Sequence, residues 1–221
     1  MVIDKINEML VKEEVERKVR VRSSKYNPSS FGRCFRYQVW NRQNKEVTNP
    51  IPHSTLLRFK VGTKMHEAIQ ALYPKECCEV EIDLADIKGF VDIVSCGQVI
   101  EIKSKNMFGF KLMKKSGYRV EDKETANILQ VMFYAMVMEC DSGVLLYIDT
   151  NTMETLEFEL ELKDWVGAVK EELEILRMFW NKAKDGLLPA PLPRAYGGKE
   201  CKYCGFYDAC QEEESKKRGE L

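Results

Sequence analysis

The chain has 221 residues and carries 34 Lys and Arg against 35 Asp and Glu, which gives a formal net charge of −1. This length allows one domain with a sizeable core, and 44% hydrophobic with 31% charged residues excludes a disordered chain. Because the charge is balanced, any surface for nucleic acid must be a local patch.

The amino terminus, MVIDKINEML, is charged from its fourth residue and lacks the apolar stretch of a secretory signal peptide. The longest apolar run, ILQVMFYAMVM at 128–138, is too short and too interrupted to span a bilayer. We therefore expect a cytoplasmic protein with no membrane partner. In that compartment, eight cysteines are expected to be metal ligands or core residues rather than disulfides.

The first part of the chain is predicted to be helical. Spaced apolar positions predict a helix over 4–22, Ser29 or Ser30 is the expected N-cap of a helix over 31–42, and a loop that contains His53 precedes a helix that Pro74 stops. The apolar period then changes to two, which predicts a strand over 79–84 and a hairpin in which 89–94 and 98–103 flank SCGQ.

The second part alternates helices and strands. The pattern predicts a buried helix over 123–140, strands over 143–149 and 155–162, and an amphipathic helix with Asp164 as its N-cap and Gly186 at its end. A proline-rich stretch then leads to a cysteine cluster. This order predicts an α+β fold with a mixed sheet and helices on both faces.

The register of the hairpin brings two carboxylates together. If the hairpin turns on the two central residues of SCGQ, Ser95 faces Gln98 and Asp92 faces Glu101, with Cβ atoms roughly 4.5–5.5 Å apart. Lys103 follows Glu101 by two and shares that face. Two neighbouring carboxylates repel unless a cation lies between them, and hard oxygen ligands beside a lysine suit Mg²⁺ or Mn²⁺. The alternative is an edge hairpin that shows Glu101 and Lys103 to solvent as an ion pair.

The sequence CKYCGFYDAC at 201–210 places Cys201, Cys204 and Cys210 close together. Both tetrahedral zinc sites and iron–sulfur cubanes need four ligands, so a fourth ligand must come from elsewhere in the chain.

Basic and aromatic residues are interleaved directly after the hairpin. The stretch KSKNMFGFKLMKKSGYR at 103–119 includes Lys111, Lys114 and Lys115 together with Phe108, Phe110 and Tyr118. Lysines follow phosphates and aromatic rings stack on unpaired bases, so this basic–aromatic segment is a candidate path for single-stranded DNA. A solvated loop is the alternative interpretation.

Five motifs in family order resemble the CRISPR-associated, RecB-like iron–sulfur exonuclease family of the restriction-endonuclease-like nuclease superfamily. GFVDIV with VIEIK looks like the D…(D/E)xK core, QVMFY is similar to the QxxxY element, and GTKMH resembles the helix whose histidine completes the metal site. Cys34 and the C-x2-C-x5-C ending match the cysteine arrangement, which AddB-type helicase–nucleases share. The resemblance covers the chain from about Ser29 to Cys210.

The resemblance implies a restriction-endonuclease-like core and a metal-dependent exonuclease that acts on single-stranded DNA ends. Asp92, Glu101 and Lys103 would be catalytic. The Mg²⁺ or Mn²⁺ ions would be held by His66, Asp92, Glu101 and Ile102, the last through its carbonyl. Gln130 and Tyr134, which share a helix face, would shape the site and contact DNA. A buried hydrogen-bonding pair is the alternative for these two residues.

The resemblance also implies that Cys34 is the fourth ligand, so that Cys34, Cys201, Cys204 and Cys210 hold a [4Fe–4S] cluster joining the N- and C-terminal segments. Cys34 lies at a turn before a helix, where the helix N-terminus, Arg33 and Arg36 are expected to favour the thiolate. A Cys₄ zinc site is the alternative, although no second close cysteine pair has suitable spacing. The remaining cysteines, at 77, 78, 96 and 140, are expected to be core or partly exposed thiols.

We expect a single nuclease domain over 1–221, composed of a helical segment over 1–60, a nuclease core over 61–186 and a cysteine segment over 187–221. The resemblance implies work in CRISPR spacer acquisition beside the integrase, or in DNA recombination and repair. Two other functions stay open at this point. One is a non-catalytic nucleic-acid-binding module with a structural zinc site, and the other is a redox protein that uses the cluster for electron transfer.

Overall fold

The structure is a computed structural model that describes residues 2–21 and 24–219. Within these residues the helices are α1 (Val2–Val21), α2 (Phe35–Arg42), α3 (His53–Gln70), α4 (Met107–Met113), α5 (Val120–Lys123), α6 (Thr125–Val137), α7 (Leu162–Lys184) and α8 (Tyr207–Arg218). The strands are β1 (Cys78–Asp83), β2 (Lys88–Ser95), β3 (Gln98–Lys105), β4 (Ser142–Asp149) and β5 (Thr155–Glu161). Arg22, in the helix predicted over 4–22, lies outside the described residues.

The five strands form one mixed sheet in the order β1-β2-β3-β4-β5. Neighbouring strands are antiparallel except β3 and β4, which run parallel with Glu101 beside Leu145. The parallel pair needs a crossover, and the chain supplies it through α4, α5 and α6. The prediction of an α+β fold with a mixed sheet and flanking helices is therefore confirmed.

Helices cover both faces of the sheet. On one face, α6 is mostly apolar and is buried between β3, β4 and α7. On the other face, α3 covers a smaller apolar cluster that consists of Met65, Ile93, Ile102 and Ile148. β3 therefore points alternate side chains toward two helices, and both helices carry candidate site residues. None of the described helices combines the length and apolarity needed to cross a membrane.

Three predicted helix starts were wrong. Asn27, not Ser29 or Ser30, caps a short 3₁₀ turn through its side chain, and α2 begins only at Phe35. His53 is the first residue of α3 rather than part of a loop. Asp164 lies inside the first turn of α7, because β5 runs directly into that helix at Leu162. Each of these starts depends on the backbone path of the preceding segment.

The hairpin register is as predicted at its tip. Ser95 pairs with Gln98, and the two turn residues, Cys96 and Gly97, have φ values of 52° and 75°. Positive φ at both central residues is the geometry of a type I′ turn, which matches the twist of the flanking strands. The turn therefore fixes which residues of β2 and β3 lie side by side.

Candidate active site and cysteine cavity

The pairing of β2 with β3 ends just before Asp92. The last paired residues are Ile93 and Ile100, and the carboxylate of Asp92 then accepts a hydrogen bond from the Ile102 N–H, with 2.7 Å between Oδ2 and N. In β1, the neighbouring Glu79 has a φ of 50°. Neither Glu79 nor Asp92 is among the paired positions of these strands, so the two predicted carboxylates meet through an offset and not through direct opposition.

Glu101 lies in the middle of the sheet and is buried. Its Oε1 atom accepts hydrogen bonds from Lys103 Nζ at 2.7 Å and from Gln130 Nε2 at 2.7 Å. Lys103 Nζ also donates to Gln130 Oε1 at 2.9 Å, which closes a triangle of three side chains. Since β3 is a central strand, the alternative of a solvent-exposed edge hairpin is wrong.

The second carboxylate oxygen of Glu101 is unsatisfied. Oε2 is buried and, among the described residues, has no hydrogen-bond partner. Burial and the nearby charge of Asp92 raise the pKa of Glu101 to about 7, although Lys103 opposes the shift. A buried carboxylate oxygen without a donor is costly, and a bound cation would relieve both the desolvation and the repulsion from Asp92.

His66 reaches Asp92 from the helix that covers the other side. Its Nδ1 atom lies 3.4 Å from Asp92 Oδ1. Burial opposes protonation, but the hydrogen bond to Asp92 and the charges of Asp92 and Glu101 outweigh it and raise the pKa of His66. One helical turn earlier, a Cβ on Gly62 would lie 3.1 Å from Ser104 Oγ, so glycine there lets α3 approach β3 closely.

Gln130 and Tyr134 lie behind the carboxylates. Gln130 is buried and bridges Glu101 and Lys103, as described above. Tyr134 is 1% exposed, belongs to the main core, and packs against Phe133 with 5.7 Å between ring centroids. In this position the Tyr134 ring supports the site from within the core and does not form part of its surface.

The predicted basic–aromatic segment is partly helical. Lys111, Lys114 and Lys115 are exposed on α4 and just after it, and Lys114 pairs with Glu154 at 2.9 Å. Phe110 is buried in the core and so is not available for stacking, whereas Phe108 is exposed. Including Arg119, the segment therefore offers four exposed cations and one exposed aromatic ring.

The four cysteines that the resemblance selects line a single cavity. Cys34 precedes α2, Cys201 and Cys204 lie in and after a 3₁₀ turn over Glu200–Tyr203, and Cys210 is on α8. All four are free thiols, and Cys201 is exposed. Arg36 Nη1 lies 3.4 Å from Cys210 Sγ. The other four cysteines do not line this cavity. Cys140 is buried and Cys77 and Cys78 are partly exposed, as predicted, whereas Cys96 is exposed.

The pKa of the Cys34 thiol is not lowered, although its position just before α2 suggested that it would be. Burial raises its pKa, and the backbone N–H groups of Tyr37 and Arg36 offset this only in part. The expected arginines are engaged elsewhere, because Arg33 pairs with Glu200 at 3.0 Å and Arg36 pairs with Glu214 at 2.7 Å. A metal group would therefore have to displace protons from these thiols.

Two buried glutamates lie beside the cysteines and were not predicted from the sequence. Glu200 accepts hydrogen bonds from the backbone N–H of Cys34 at 3.0 Å and from that of Arg194 at 3.1 Å, in addition to its bond with Arg33. Glu172 on α7 accepts from the Gly32 N–H at 3.0 Å and from Arg194 Nη2 at 2.6 Å. No periodicity or short motif signals either residue, because their partners are far away in the sequence.

The cysteine segment also reaches the carboxylate site. Burial alone would lower the pKa of Lys103. The charges of Glu101, Asp92 and Tyr196 outweigh this effect, so that the pKa is raised overall. Tyr196, five residues before Cys201, is thus among the groups that raise the pKa of Lys103.

Neither group of candidate metal ligands is already arranged around a single point. In the described part of the chain, no three histidine, cysteine, aspartate or glutamate side chains surround one point as ligands of a single ion. The carboxylate site instead offers the unpartnered Glu101 Oε2 beside Asp92 and His66, and the cavity offers four thiols around a common space.

No protein-family model matches the chain, and no curated protein matches it. Among solved structures, SSO0001 is similar with a TM-score of 0.57 and 20% identity, covering 95% of this chain and 96% of that chain. The alkaline exonuclease LHK-Exo from Laribacter hongkongensis matches with a TM-score of 0.44 and 17% identity, covering 77% of this chain and 97% of that one. Its complex with dAMP gives 19% identity and the same TM-score, covering 78% and 100%. The TM-score of the LHK-Exo matches is too low to carry an argument, and the likeness to SSO0001 shows a common fold.

Proposed function

We propose that the protein is a metal-dependent DNA exonuclease with a restriction-endonuclease-like core, which acts on single-stranded DNA ends. The observation that carries this proposal is the unsatisfied Oε2 atom of Glu101, buried beside Asp92 and His66 with Lys103 at the mouth. Buried carboxylate oxygens are seldom left without a donor, and a bound cation would satisfy this one.

The chain offers four groups for Mg²⁺ or Mn²⁺, namely the side chains of His66, Asp92 and Glu101 and the carbonyl of Ile102. Oxygen ligands of this kind suit both ions. When bound there, such an ion supplies Lewis-acid polarisation of a phosphate and lowers the pKa of a coordinated water. Asp92 is already oriented by the Ile102 N–H, and Glu101 is oriented by Lys103 and Gln130.

Lys103 is positioned to stabilise negative charge on the phosphate. Its side chain is 23% exposed, and two hydrogen bonds fix its ammonium group at the edge of the site. Because its pKa is raised, Lys103 stays charged at neutral pH and donates hydrogen bonds rather than removing a proton. It would therefore orient the attacking water as a donor and favour the charge that develops at the scissile phosphate.

We propose that Cys34, Cys201, Cys204 and Cys210 hold a [4Fe–4S] cluster with a structural role. The four thiols line one cavity, and a cluster bound there would draw its ligands from both ends of the described chain. In a cubane each thiolate binds a different iron. Neither Asp92 nor Glu101 lines the cysteine cavity, so electron transfer through a cluster there would not explain the paired carboxylates.

The proposed setting is the cytoplasm, where free thiols remain reduced. There the enzyme would trim DNA ends, either beside the integrase of CRISPR spacer acquisition or in recombination and repair. Gln130 and the lysines at 111, 114 and 115 would help to bind the DNA, while Tyr134 would act by supporting Gln130 from the core.

One assay tests the proposal. Anaerobically purified protein is incubated with end-labelled single-stranded DNA and Mn²⁺, with a chelator in the control. We expect shortening of the DNA that the chelator stops and that Asp92→Ala or Glu101→Ala removes. DNA binding without any metal-dependent cleavage would overturn the proposal in favour of a non-catalytic binding module.

A further inference from the structure

Tyr196 combines three features that are rarely found together. Its side chain is 60% exposed, its φ is 55°, and two glycines with positive φ follow it. Left-handed backbone in a bulky residue costs energy, so a glycine or asparagine would be more stable at this position. Among the described residues other than glycine, Tyr196 is the one aromatic residue with a positive φ. The positive φ of Tyr196 therefore suggests that this residue has a functional role rather than a stabilising one.

A second exposed ring lies beside it. Tyr203 is 73% exposed, and its ring meets that of Tyr196 edge to face, with 6.0 Å between centroids and 82° between planes. The Arg33 guanidinium lies 5.9 Å from the Tyr196 centroid and is fixed by its bond to Glu200. Both residues are thus held in place while most of their surface stays exposed to solvent.

The contacts of this pair lead toward the carboxylate site. The Gly32–Arg33 turn packs so closely on α6 that a Cβ on Gly32 would lie 2.8 Å from Ala126 Cα. Ala126 and Gln130 are four residues apart and share one side of α6, and Gln130 binds Lys103. The electrostatic influence of Tyr196 on Lys103, described above, agrees with this placement.

We propose that Tyr196 and Tyr203 form a stacking platform for an unpaired base of the DNA strand that enters the active site. An exposed tyrosine ring can stack an unpaired base while basic side chains contact the adjoining phosphates. This inference rests on the proposed function and adds the residues that hold the base. It also gives the cysteine segment, which carries both rings, a direct part in substrate binding.

The test uses full-length protein with Ca²⁺ in place of Mg²⁺ and single-stranded oligonucleotides that carry 2-aminopurine at one end or the other. Stacking on an aromatic ring quenches 2-aminopurine fluorescence, and wild-type protein should quench the label at one end. Tyr196→Gly should abolish the quenching and weaken binding by roughly 5- to 150-fold, the range for one stacked base. Tyr196→Phe keeps the ring and should bind as the wild type does.

Thermal unfolding separates this role from a structural one. Because glycine accepts positive φ, Tyr196→Gly should melt at the same temperature as the wild type or higher and keep its metal content. Loss of melting temperature together with binding would overturn the platform, as would unchanged binding in Tyr196→Gly. Phe59→Ala, at an exposed ring on α3 beside the Lys60–Glu13 ion pair, is the control and should not alter the quenching.

Cleavage of the same DNA with Mn²⁺ separates the two proposals. If the wild type cleaves and Tyr196→Gly binds and cleaves equally well, the platform is wrong and the nuclease stands. If the wild type quenches the terminal label but does not cleave, the nuclease is wrong and the platform stands.

Discussion

The two carboxylate oxygens of Glu101 differ in their hydrogen bonding. Its Oε1 atom accepts two hydrogen bonds, while Oε2 has no partner among the described residues. An unsatisfied buried polar atom costs about 1–3 kcal/mol, and more when the group is charged. The folded protein without a divalent ion therefore contains a destabilised group at the position where the proposed chemistry needs a ligand.

Glu101→Gln should separate stability from activity. The neutral amide keeps an acceptor for Lys103 and removes a buried charge, so we expect the free energy of unfolding of the divalent-free protein at about pH 8 to rise by about 1 kcal/mol. Metal-dependent cleavage should disappear, because a ligand charge is lost. Urea unfolding and the end-labelled DNA assay measure the two effects. Glu157→Gln, an exposed change on β5, should alter neither. Cleavage at the wild-type rate in Glu101→Gln would contradict the site assignment.

The same residue predicts a pH dependence. Glu101 has a pKa of about 7 in the folded protein against 4.5 in the unfolded chain, so the folded state binds more protons between these values. The free energy of unfolding should therefore fall as pH rises through this window. His66, whose pKa is raised from 6.5, acts in the same direction, since its contribution is complete below 6.5 and is lost as pH rises through its folded pKa.

Unfolding by urea in divalent-free buffer, at steps from about pH 5 to about pH 8, measures this dependence. The fall in stability should be shallower in Glu101→Gln, with the remainder due to His66. Equal curves for the two proteins would show that Glu101 ionises normally. Because ligands must be deprotonated, Mn²⁺ should in turn bind more tightly as pH rises.

At the scale of elements, the exposed face of α4 and the turn after it carry the basic charge. Replacing Lys111, Lys114 and Lys115 together by alanine should flatten the dependence of DNA binding on salt. Each lost phosphate contact lowers the slope of log K against log salt by about 0.7 for a single strand, so three contacts give about 2. Binding titrations at several salt concentrations measure the slope.

A charge-matched control uses three exposed lysines on α7, at 163, 170 and 182, which should leave the slope unchanged when replaced by alanine. If both triple variants lower the slope equally, α4 provides only general surface charge. Lys114 is expected to contribute least, because it is already paired with Glu154.

The elements show what the sequence alone can and cannot predict. Alternation gave β2 and β3 and the proximity of Asp92 and Glu101, because a two-residue turn fixes the register of a hairpin. The offset at Asp92 was not predictable, since alternation does not reveal where the pairing of β2 with its neighbours is interrupted. Burial of Phe110 was missed for a similar reason, because the stretch that contains it folds as a helix on the sheet.

At the scale of the molecule, the chain holds its N- and C-terminal segments together with its own side chains. Glu200 bonds the turn before α2, and Glu172 bonds both Gly32 and Arg194. These partners are 140 and 166 positions apart for Gly32–Glu172 and Cys34–Glu200. No local pattern reports such separations, and only the cysteine motif, through its family resemblance, indicated that the two segments meet.

Glu200→Ala should destabilise the protein strongly. It leaves the Arg33 guanidinium and the backbone N–H groups of Cys34 and Arg194 without their acceptor, and removing one partner of a buried pair costs roughly 3–5 kcal/mol. Urea unfolding measures the loss. Glu213→Ala, at a partly exposed residue of α8, should be close to neutral. A loss below about 1 kcal/mol would show that water replaces Glu200.

Cys34→Ala should remove the metal group while the chain stays folded. Anaerobic protein should be brown with about four irons per chain, and Cys34→Ala should lose this iron and melt at a lower temperature, since a bound group stabilises only the folded state. Asp92→Ala should keep full iron. Cys96→Ala, at an exposed turn thiol, is the matched control.

Metal analysis and melting curves decide between the alternatives. Full iron in Cys34→Ala would contradict Cys34 as a ligand and leave another cysteine as the fourth. Stoichiometric zinc in protein never exposed to air would replace the cluster with a zinc site.

The bonds that close the chain also set an order in which the protein can be completed during synthesis. Glu200 leaves the ribosome 166 residues after Cys34, which at ordinary elongation rates takes roughly 10–30 s. Arg36, fully buried in the finished protein, lacks its acceptor Pro189 for most of that interval and lacks Glu214 until after the interval has ended. The strands and helix that carry Asp92, Glu101 and Gln130 are made well before this junction can close. The nascent chain therefore presents its N-terminal turn unpaired to chaperones and proteases until the cysteine segment emerges.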